Sequence, residues 1–380
     1  MHCAHARFVW NLALDQCEMM RSFDGFADQN MWDRQLTEAR KMFPWLAAGS
    51  SSAQQAALRD LRQAFRNWWA NPGHFGYPTF RRKSGTSGFA VRDLSVQIVN
   101  RRWATITIPK AGRVKFRLSR PLPADAKSAR VTLDRSGRWH VSFVSPQPEF
   151  VRETTGAMVG LDVGVAHTLT TSDGQHFDMP ALLSPGEKRR LRLLQRKLAR
   201  QQKGSNRRAC TKRSIARLHA RKTDRRKDWI EKVTTQLVSD HDLIVVENLK
   251  VANMVKSASG TITEPGTNVA QKRGLNRAIS EQAWATIRQR LEDKTKAASV
   301  STTLAAVPAA FTSQRCSKCF HTAKENRDSQ AVFGCVKCGF AEHADVNAAI
   351  NILAAGRAVP GRGGPPIGEP AKRQLSKVAA

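Results

Sequence analysis

Acidic residues are scarce in this chain. Its 380 residues include 31 Asp and Glu against 62 Lys and Arg, a formal net charge of +31 and a pI of about 10.9. Solubility needs far less, so the excess points to a polyanionic partner, nucleic acid before a membrane surface. Long apolar runs are missing too. The best candidate, Ala297 to Phe311, is broken by Ser301, Thr302, Thr303 and Pro308 and falls short of the ~20 residues of a membrane span. The opening Met1-His2-Cys3-Ala4-His5 lacks the apolar core of a signal peptide. A cytoplasmic protein with no membrane partner is expected. Tyrosine occurs once, as Tyr77 between Gly76 and Pro78, which supplies no convincing tyrosine nucleophile. Gly-x-x-x-x-Gly-Lys-Ser/Thr is absent, which argues against a P-loop ATPase, and no Ser-His-Asp or Cys-His arrangement stands out.

Cysteine is sparse but patterned. Of seven cysteines, Cys3, Cys17 and Cys210 are scattered, as suits a reducing cytosol. The other four form Cys316-x-x-Cys319 and Cys335-x-x-Cys338, two pairs separated by 15 residues. That is the spacing of a four-cysteine zinc site. Two such turns close a tetrahedral shell and leave no position for a substrate, so a structural Zn2+ is expected on Cys316, Cys319, Cys335 and Cys338. A disulfide pair or a redox C-x-x-C is the competing reading.

Read in order, the chain changes period several times. Residues 1 to about 70 read as helices; Leu58, Leu61, Phe65 and Trp68 step by three, four and three along one face. Trp68-Trp69 beside Arg66 suit either base stacking or a helical core. From Gly76 the period becomes two. Trp103, Ile106 and Ile108, then Val114, Phe116 and Leu118, mark strands; Ala129 to Leu133 and Trp139 to Phe143 flank the turn Asp134-Arg135-Ser136-Gly137 as a hairpin. Several short strands at this spacing suggest a small barrel or sandwich. Met158 to Val165 reads as an apolar strand with Asp162 in its middle, hairpinned to Thr168–Thr171, with a further turn at Asp173-Gly174. From Glu187 to Lys227 there are eighteen Lys or Arg against only Glu187 and Asp224, broken near Gly204-Ser205-Asn206. Charge of that density favours a surface tracking nucleic acid over a merely solvated helical hairpin. Leu243 to Val246 is a buried strand ending in Glu247. Residues 251–275 read as a mobile loop, Leu275 to about Ala297 as a helix, and Val300 to Val307 as a strand. Asp345 starts an alanine-rich helix, and the Gly- and Pro-rich residues from about 357 onward read as disordered.

Three acids therefore sit on elements able to converge: Asp162, Glu247 and Asp345. Carboxylates brought together repel unless cations neutralise them, and Mg2+ takes oxygen ligands of this kind. Such a site serves in-line phosphodiester displacement. On chemistry alone, a basic protein with these acids is a candidate nuclease.

These residues also carry a family resemblance. Gly160-Leu161-Asp162-Val163-Gly164, Val245-Val246-Glu247-Asn248-Leu249, Thr312-Ser313-Gln314-x-Cys316-x-x-Cys319, Cys335-x-x-Cys338-Gly339 and Asp345-Val346-Asn347-Ala348-Ala349 occur in the order and setting of the TnpB family. These are transposon OrfB proteins that resemble the ancestors of type V CRISPR effectors. Gly76-Tyr77-Pro78-x-Phe80 and Leu58 to Trp69 extend the likeness over most of the chain. The resemblance implies an α/β multidomain fold: a helical recognition module over 1–75, a β-barrel wedge over 76–153, and an RNase H-like (RuvC) nuclease domain over 154–356. It implies a zinc ribbon inserted at 312–342, and it leaves a basic tail over 357–380. It implies an RNA-guided DNA endonuclease with Asp162, Glu247 and Asp345 as catalytic acids holding Mg2+, a structural Zn2+, and as partners DNA and a guide RNA from the transposon end. A nuclease-inactive DNA-binding or regulatory protein from a transposon is the alternative, and a DNA-joining transposase working without RNA a third. The sequence departs from the family pattern at Asn248, where an acid is common, Ala344, where Arg is usual, and Phe320, where Gly is usual. Family members also carry a strand segment before the part that resembles Cys3 to Leu14, so an unpaired wedge edge is expected.

Overall fold

The computed structural model describes residues 1–21, 29–83, 87–92, 94–123, 126, 128–261, 263–308, 310–329 and 331–358. Of the tail expected from 357 onward, residues 359–380 lie outside the described residues. The chain divides into two compact units, one of residues 1–146 and 189–220, the other of residues 147–188 and 221–380.

The first unit begins with helices α1 (His2–Arg21), α2 (Gln29–Met42), α3 (Pro44–Ala47) and α4 (Ser51–Ala70). Ser50 caps α4, its Oγ accepting from the Ala53 amide at 3.3 Å. The apolar face expected on α4 is buried at Leu58, Leu61 and Phe65, while Trp69 is exposed. Six strands follow: β1 (Ser87–Arg92), β2 (Val96–Asn100), β3 (Trp103–Ile108), β4 (Gly112–Arg117), β5 (Ser128–Leu133) and β6 (Trp139–Phe143). They form two antiparallel three-stranded sheets, β1-β5-β6 and β2-β3-β4, rather than one continuous barrel among the described residues. The expected hairpin is β5–β6, with Leu133 opposite Trp139. Helices and strands share one core, in which Leu14, Trp32 and Phe65 meet Val91, Ile106 and Val131.

The second unit is built on a five-stranded sheet. Its strands are β7 (Met158–Asp162), β8 (Leu169–Thr171), β9 (His176–Phe177), β10 (Leu243–Glu247) and β11 (Thr303–Val307), in the order β11-β10-β7-β8-β9. β10 runs parallel to both β7 and β11, whereas β8 and β9 are antiparallel additions. The basic stretch forms α5 (Pro185–Arg200) and α6 (Asn206–Asp240), the latter one continuous 35-residue helix, and residues 189–220 of this stretch belong to the first unit. Then come α7 (Val251–Met254), α8 (Val269–Gln282) and α9 (Trp284–Ala297). The alternation along β10 explains the layers. Ile244 and Val246 face Ile230, Leu237, Ile287 and Leu291 of α6 and α9. Leu243 and Val245 face Ile352 on the last helix, α10 (Ala344–Ala358), with Val307 beside them. An uninterrupted apolar strand is what burial on both faces requires.

Three expectations are corrected here. The Asp162 strand stops at Asp162 instead of running to Val165, because the chain turns so tightly that a Cβ on Gly164 would lie 2.9 Å from the His167 carbonyl oxygen. The loop expected over 251–275 already holds α7 and the first turns of α8, since Gln271, Lys272 and Arg273 are good helix formers around a tolerated Gly274. The single helix expected from Leu275 is two helices, parted at Ala283, whose φ of 56° no α-helix accommodates.

One glycine sets how close α10 comes to the sheet. A Cβ on Gly160 would lie 2.1 Å from the Ala349 carbonyl oxygen and 2.7 Å from the Leu353 amide nitrogen, both helix backbone. Gly160→Ala is expected to destabilise this unit by about 1–3 kcal/mol, the usual cost of overpacking. Thermal melting checks it; an unchanged melting temperature contradicts the close approach.

Candidate metal centres

Asp162, Glu247 and Asp345 reach one end of the sheet by three routes. Asp162 is the last residue of β7 and Glu247 the last of β10. The parallel register pairs Val246 with Leu161, so the two carboxylates leave adjacent strands at the same level. Asp345 stands in the first turn of α10, where a carboxylate also gains from the helix dipole. Ends of parallel strands are where ligands meet such sheets.

Asp162 senses the other two acids. Burial pushes the Asp162 carboxyl up to about 8, and the carboxylates of Glu247 and Asp345 add to that rise. Burial also raises Glu247, against a hydrogen bond from Thr312 Oγ1 to Glu247 Oε1 at 2.5 Å. Arg327 Nη2 lies 3.8 Å from Asp345 Oδ1. A partly apolar cavity of about 530 Å3 opens beside Glu247, lined among others by Leu161, Val246, Trp284 and Arg288. Arg288 Nη1 donates to Asn248 Oδ1 at 2.9 Å. That gives a structural use to the amide standing where the family commonly has an acid.

The four cysteines come together as the spacing requires. Cys316 Sγ lies 3.7 Å from Cys338 Sγ, and Cys319 Sγ 3.5 Å from Cys335 Sγ. All four sulfurs fall within 4.8 Å of one another. A disulfide needs about 2.05 Å; a tetrahedral ion with 2.3 Å bonds to sulfur holds its ligands about 3.8 Å apart. The donor set therefore fits Zn2+. The two turns repeat one hydrogen-bond pattern. Phe320 N donates to Cys316 O at 3.0 Å and Gly339 N to Cys335 O at 2.9 Å. Phe320 and Gly339 occupy the same position, with φ of 61° and 70°. Phe320 therefore holds a left-handed conformation natural to glycine, with the Arg315 guanidinium 4.8 Å above its ring. Strands β12 (Val332–Gly334) and β13 (Ala341–His343) brace the second turn.

Residues that sequence reasoning passed over join the cysteine cluster to the Asp345 helix. Asn347 accepts from the Ser317 amide at 2.9 Å and donates to Arg315 O at 2.9 Å. One turn later Asn351 donates to Thr312 O and Arg315 O at 2.9 and 2.7 Å. Both are buried, and buried amides at i and i+4 of an otherwise apolar helix were the available signal. Asn326, fully buried, bonds to Gln314 O, His321 O and the Val336 amide, tying the two turns together. A second donor cluster went unread as well: His167, His176 and His343 bring ring nitrogens within 4.8 Å of one another.

In the basic hairpin, α5 buries none of its residues. Hydrogen bonds from Arg225 and the Ser184 amide hold the Glu187 carboxyl down to about 2. Among the described residues no helix is long and apolar enough to cross a membrane.

Comparison with known proteins agrees in extent. The family described as "Probable transposase" matches residues 142–258, and "Cas12f1-like, TNB domain" matches residues 284–352. The chain is 38% identical over 93% of its length, and 87% of the relative's, to "Putative RNA-guided DNA endonuclease InsQ" of Escherichia coli K12. It is 34% identical over 85% of its length, and 76% of the relative's, to "Putative RNA-guided DNA endonuclease" of Streptomyces pristinaespiralis. In fold it is similar to the Cas12f1 chain of a cryo-EM Cas12f1–sgRNA–target DNA complex, with a TM-score of 0.51 and 15% identity over 93% of this chain and 81% of that one.

Two outcomes follow from this geometry. A carboxyl raised from 3.8 to about 8 binds more protons folded than unfolded. Its contribution to stability is complete below pH 4 and is lost as pH rises through about 8, each tenfold difference in proton affinity being worth about 1.4 kcal/mol. Metal-free protein should therefore lose stability across that window, and Asp162→Asn should flatten the loss; urea denaturation at several pH values measures it. At Phe320, Gly should preserve zinc content, whereas β-branched Val, strained by about 1–3 kcal/mol at positive φ, should release zinc at lower chelator concentration. Equal release by Phe320→Val and wild type contradicts the strained turn.

Proposed function

The chain belongs to the TnpB family of transposon-encoded OrfB proteins, and from that footing we propose that it is an RNA-guided DNA endonuclease that hydrolyses phosphodiesters at Asp162, Glu247 and Asp345. The observation that carries the reading is the meeting of Asp162 at the end of β7 with Glu247 at the end of β10 and Asp345 in the first turn of α10, whose charges add to the rise of the Asp162 carboxyl. Buried carboxylates gathered under repulsion are stabilised by divalent cations. Their oxygen donors suit Mg2+, which when bound neutralises charge on the attacking and leaving oxygens of the scissile phosphate. Asp162 and Glu247 hold their oxygens on rigid strand ends, and Thr312 orients Glu247 through Oε1. Asp162 must lose its proton before it can serve as a ligand, so low pH opposes the reaction.

In this reading the five-stranded sheet with its flanking helices is an RNase H-like, RuvC-type nuclease domain over 154–356. The four-cysteine cluster is its inserted zinc ribbon over 312–342. Residues 1–75 and 76–153 serve as the helical recognition module and the wedge. The bare basic surface of α5 fits a nucleic-acid backbone, and the partners are target DNA and a guide RNA from the transposon end, met in the cytoplasm. The names of the relatives support the same activity.

The test begins with sequencing of RNA that co-purifies with the protein expressed beside its own flanking DNA. One structured species ending in variable sequence is expected. With that guide, Mg2+-dependent cleavage should drop at least about a hundredfold in Asp162→Ala, Glu247→Ala and Asp345→Ala, since each removes preorganised transition-state stabilisation. Cleavage retained in these variants rejects the site, and absence of a bound RNA rejects guidance.

A further inference from the structure

The histidine cluster lies outside everything assigned so far. His167 sits in the turn before β8, His176 on β9 and His343 at the end of β13, two residues before Asp345. His167 and His176 stack with ring centroids 4.1 Å apart, and His343 stands edge-on to them at 5.8 and 5.0 Å. One nitrogen from each lies within 4.8 Å of the other two. In a chain of net charge +31, three imidazoles gathered this closely are an expensive arrangement if they carry protons, and a natural one if they share a cation.

The partners around them are those that orient metal ligands. His167 Nδ1 donates to Asp178 Oδ1 at 2.9 Å, and His176 Nδ1 meets Thr170 Oγ1 at 3.0 Å. The Asp178 carboxylate on His167 Nδ1 fixes the tautomer whose Nε2 is free to coordinate, and the Thr170 hydroxyl, donor or acceptor, accommodates either tautomer of His176. His343 Nδ1 accepts a longer contact from the Asp345 amide, 3.3 Å. A half-turn about χ2, the soft two-fold torsion of an imidazole, exchanges Nδ1 with Cδ2 and Nε2 with Cε1, so His343 can present either ring edge to the cluster. Ligands on a tetrahedral ion with bonds of 2.0–2.1 Å stand about 3.3 Å apart, so binding would draw the nitrogens together from within 4.8 Å and turn the stacked rings of His167 and His176 toward a common point.

We propose that His167, His176 and His343 form a second transition-metal site, separate from the cysteine cluster, that takes one Zn2+-class ion with water as the remaining ligand. Imidazole selects Zn2+, Ni2+ or Cu2+ and not Mg2+, so this site is chemically distinct from the carboxylates as well. The ion would staple the β8–β9 hairpin to the strand that delivers Asp345.

The test uses the full chain with its cysteine site already loaded. Zinc per chain after equilibration with Zn2+ and desalting should be one equivalent higher in wild type than in His167→Gln/His176→Gln. Asp178→Asn should weaken the added equivalent by about tenfold, the usual effect of losing a partner that orients a ligand. Because the double variant could fail to fold, wild type is also modified with diethyl pyrocarbonate and mapped by mass spectrometry. Zn2+ should protect His167, His176 and His343 but not His140 or His219, and Mg2+ should protect none of them. Equal zinc content in folded wild type and double variant, or no selective protection, overturns the site. Neither readout involves DNA cleavage, so both stand apart from the outcome for the carboxylates.

Discussion

At Gly160 the backbone of α10 presses on β7 so closely that a methyl group would sit 2.1 Å from the Ala349 carbonyl oxygen. The acidic centre depends on that approach. Asp162 is fixed two residues along the same strand, and Asp345 one turn before Ala349 on the same helix. Glycine is the only residue that allows the helix to lie flat there. At the helix's far end Gly356 does the same, a Cβ there falling 2.4 Å from the Val245 side chain. The helix is thus seated at its middle and near its C-terminal end by missing side chains, while Ile352 fills the groove.

Opposite charges are kept apart by burial. The acids meet half-buried at the strand ends, whereas α5 buries none of its residues. A polyanion is drawn to the basic hairpin over a long range, and the field there is screened within about 8–10 Å at physiological salt. The half-buried carboxylates are screened less, so their chemistry depends on local desolvation and on Thr312 and Arg327 beside them. The basic surface and the carboxylates can therefore respond differently to ionic strength within one chain.

Much of this was legible in the sequence, for reasons that can be named. Leu243 to Val246 announced a doubly buried strand because both faces of β10 are covered. The cysteine spacing announced the cluster because two short turns fully determine four ligand positions. Asp162, Glu247 and Asp345 were legible as strand-end and helix-start acids, but nothing local says that β7 and β10 are neighbours in parallel register. What stayed hidden was of that long-range kind. Asn347 appears in the sequence only as part of a motif and Asn351 only as a residue of the alanine-rich helix, and only the folded chain brings Arg315 O between them. The three histidines are spread from position 167 to position 343, and no spacing rule joins them. The break at Ala283 was invisible because alanine gives no warning of a positive φ.

The order of elements along the chain governs when the centre is assembled. The strands bearing Asp162 and Glu247 emerge early during synthesis, but Asp345 follows only after the entire cysteine cluster. Between Val307 and Asp345 the chain makes a long excursion, and the cluster pulls its ends together through the Asn347 and Asn351 amides. Domains form in the order of translation, so a nascent chain carries two acids and no complete site until the ribosome has passed the last cysteine. A product terminated before Asp345 lacks the third acid altogether and keeps the basic residues of α5 and α6.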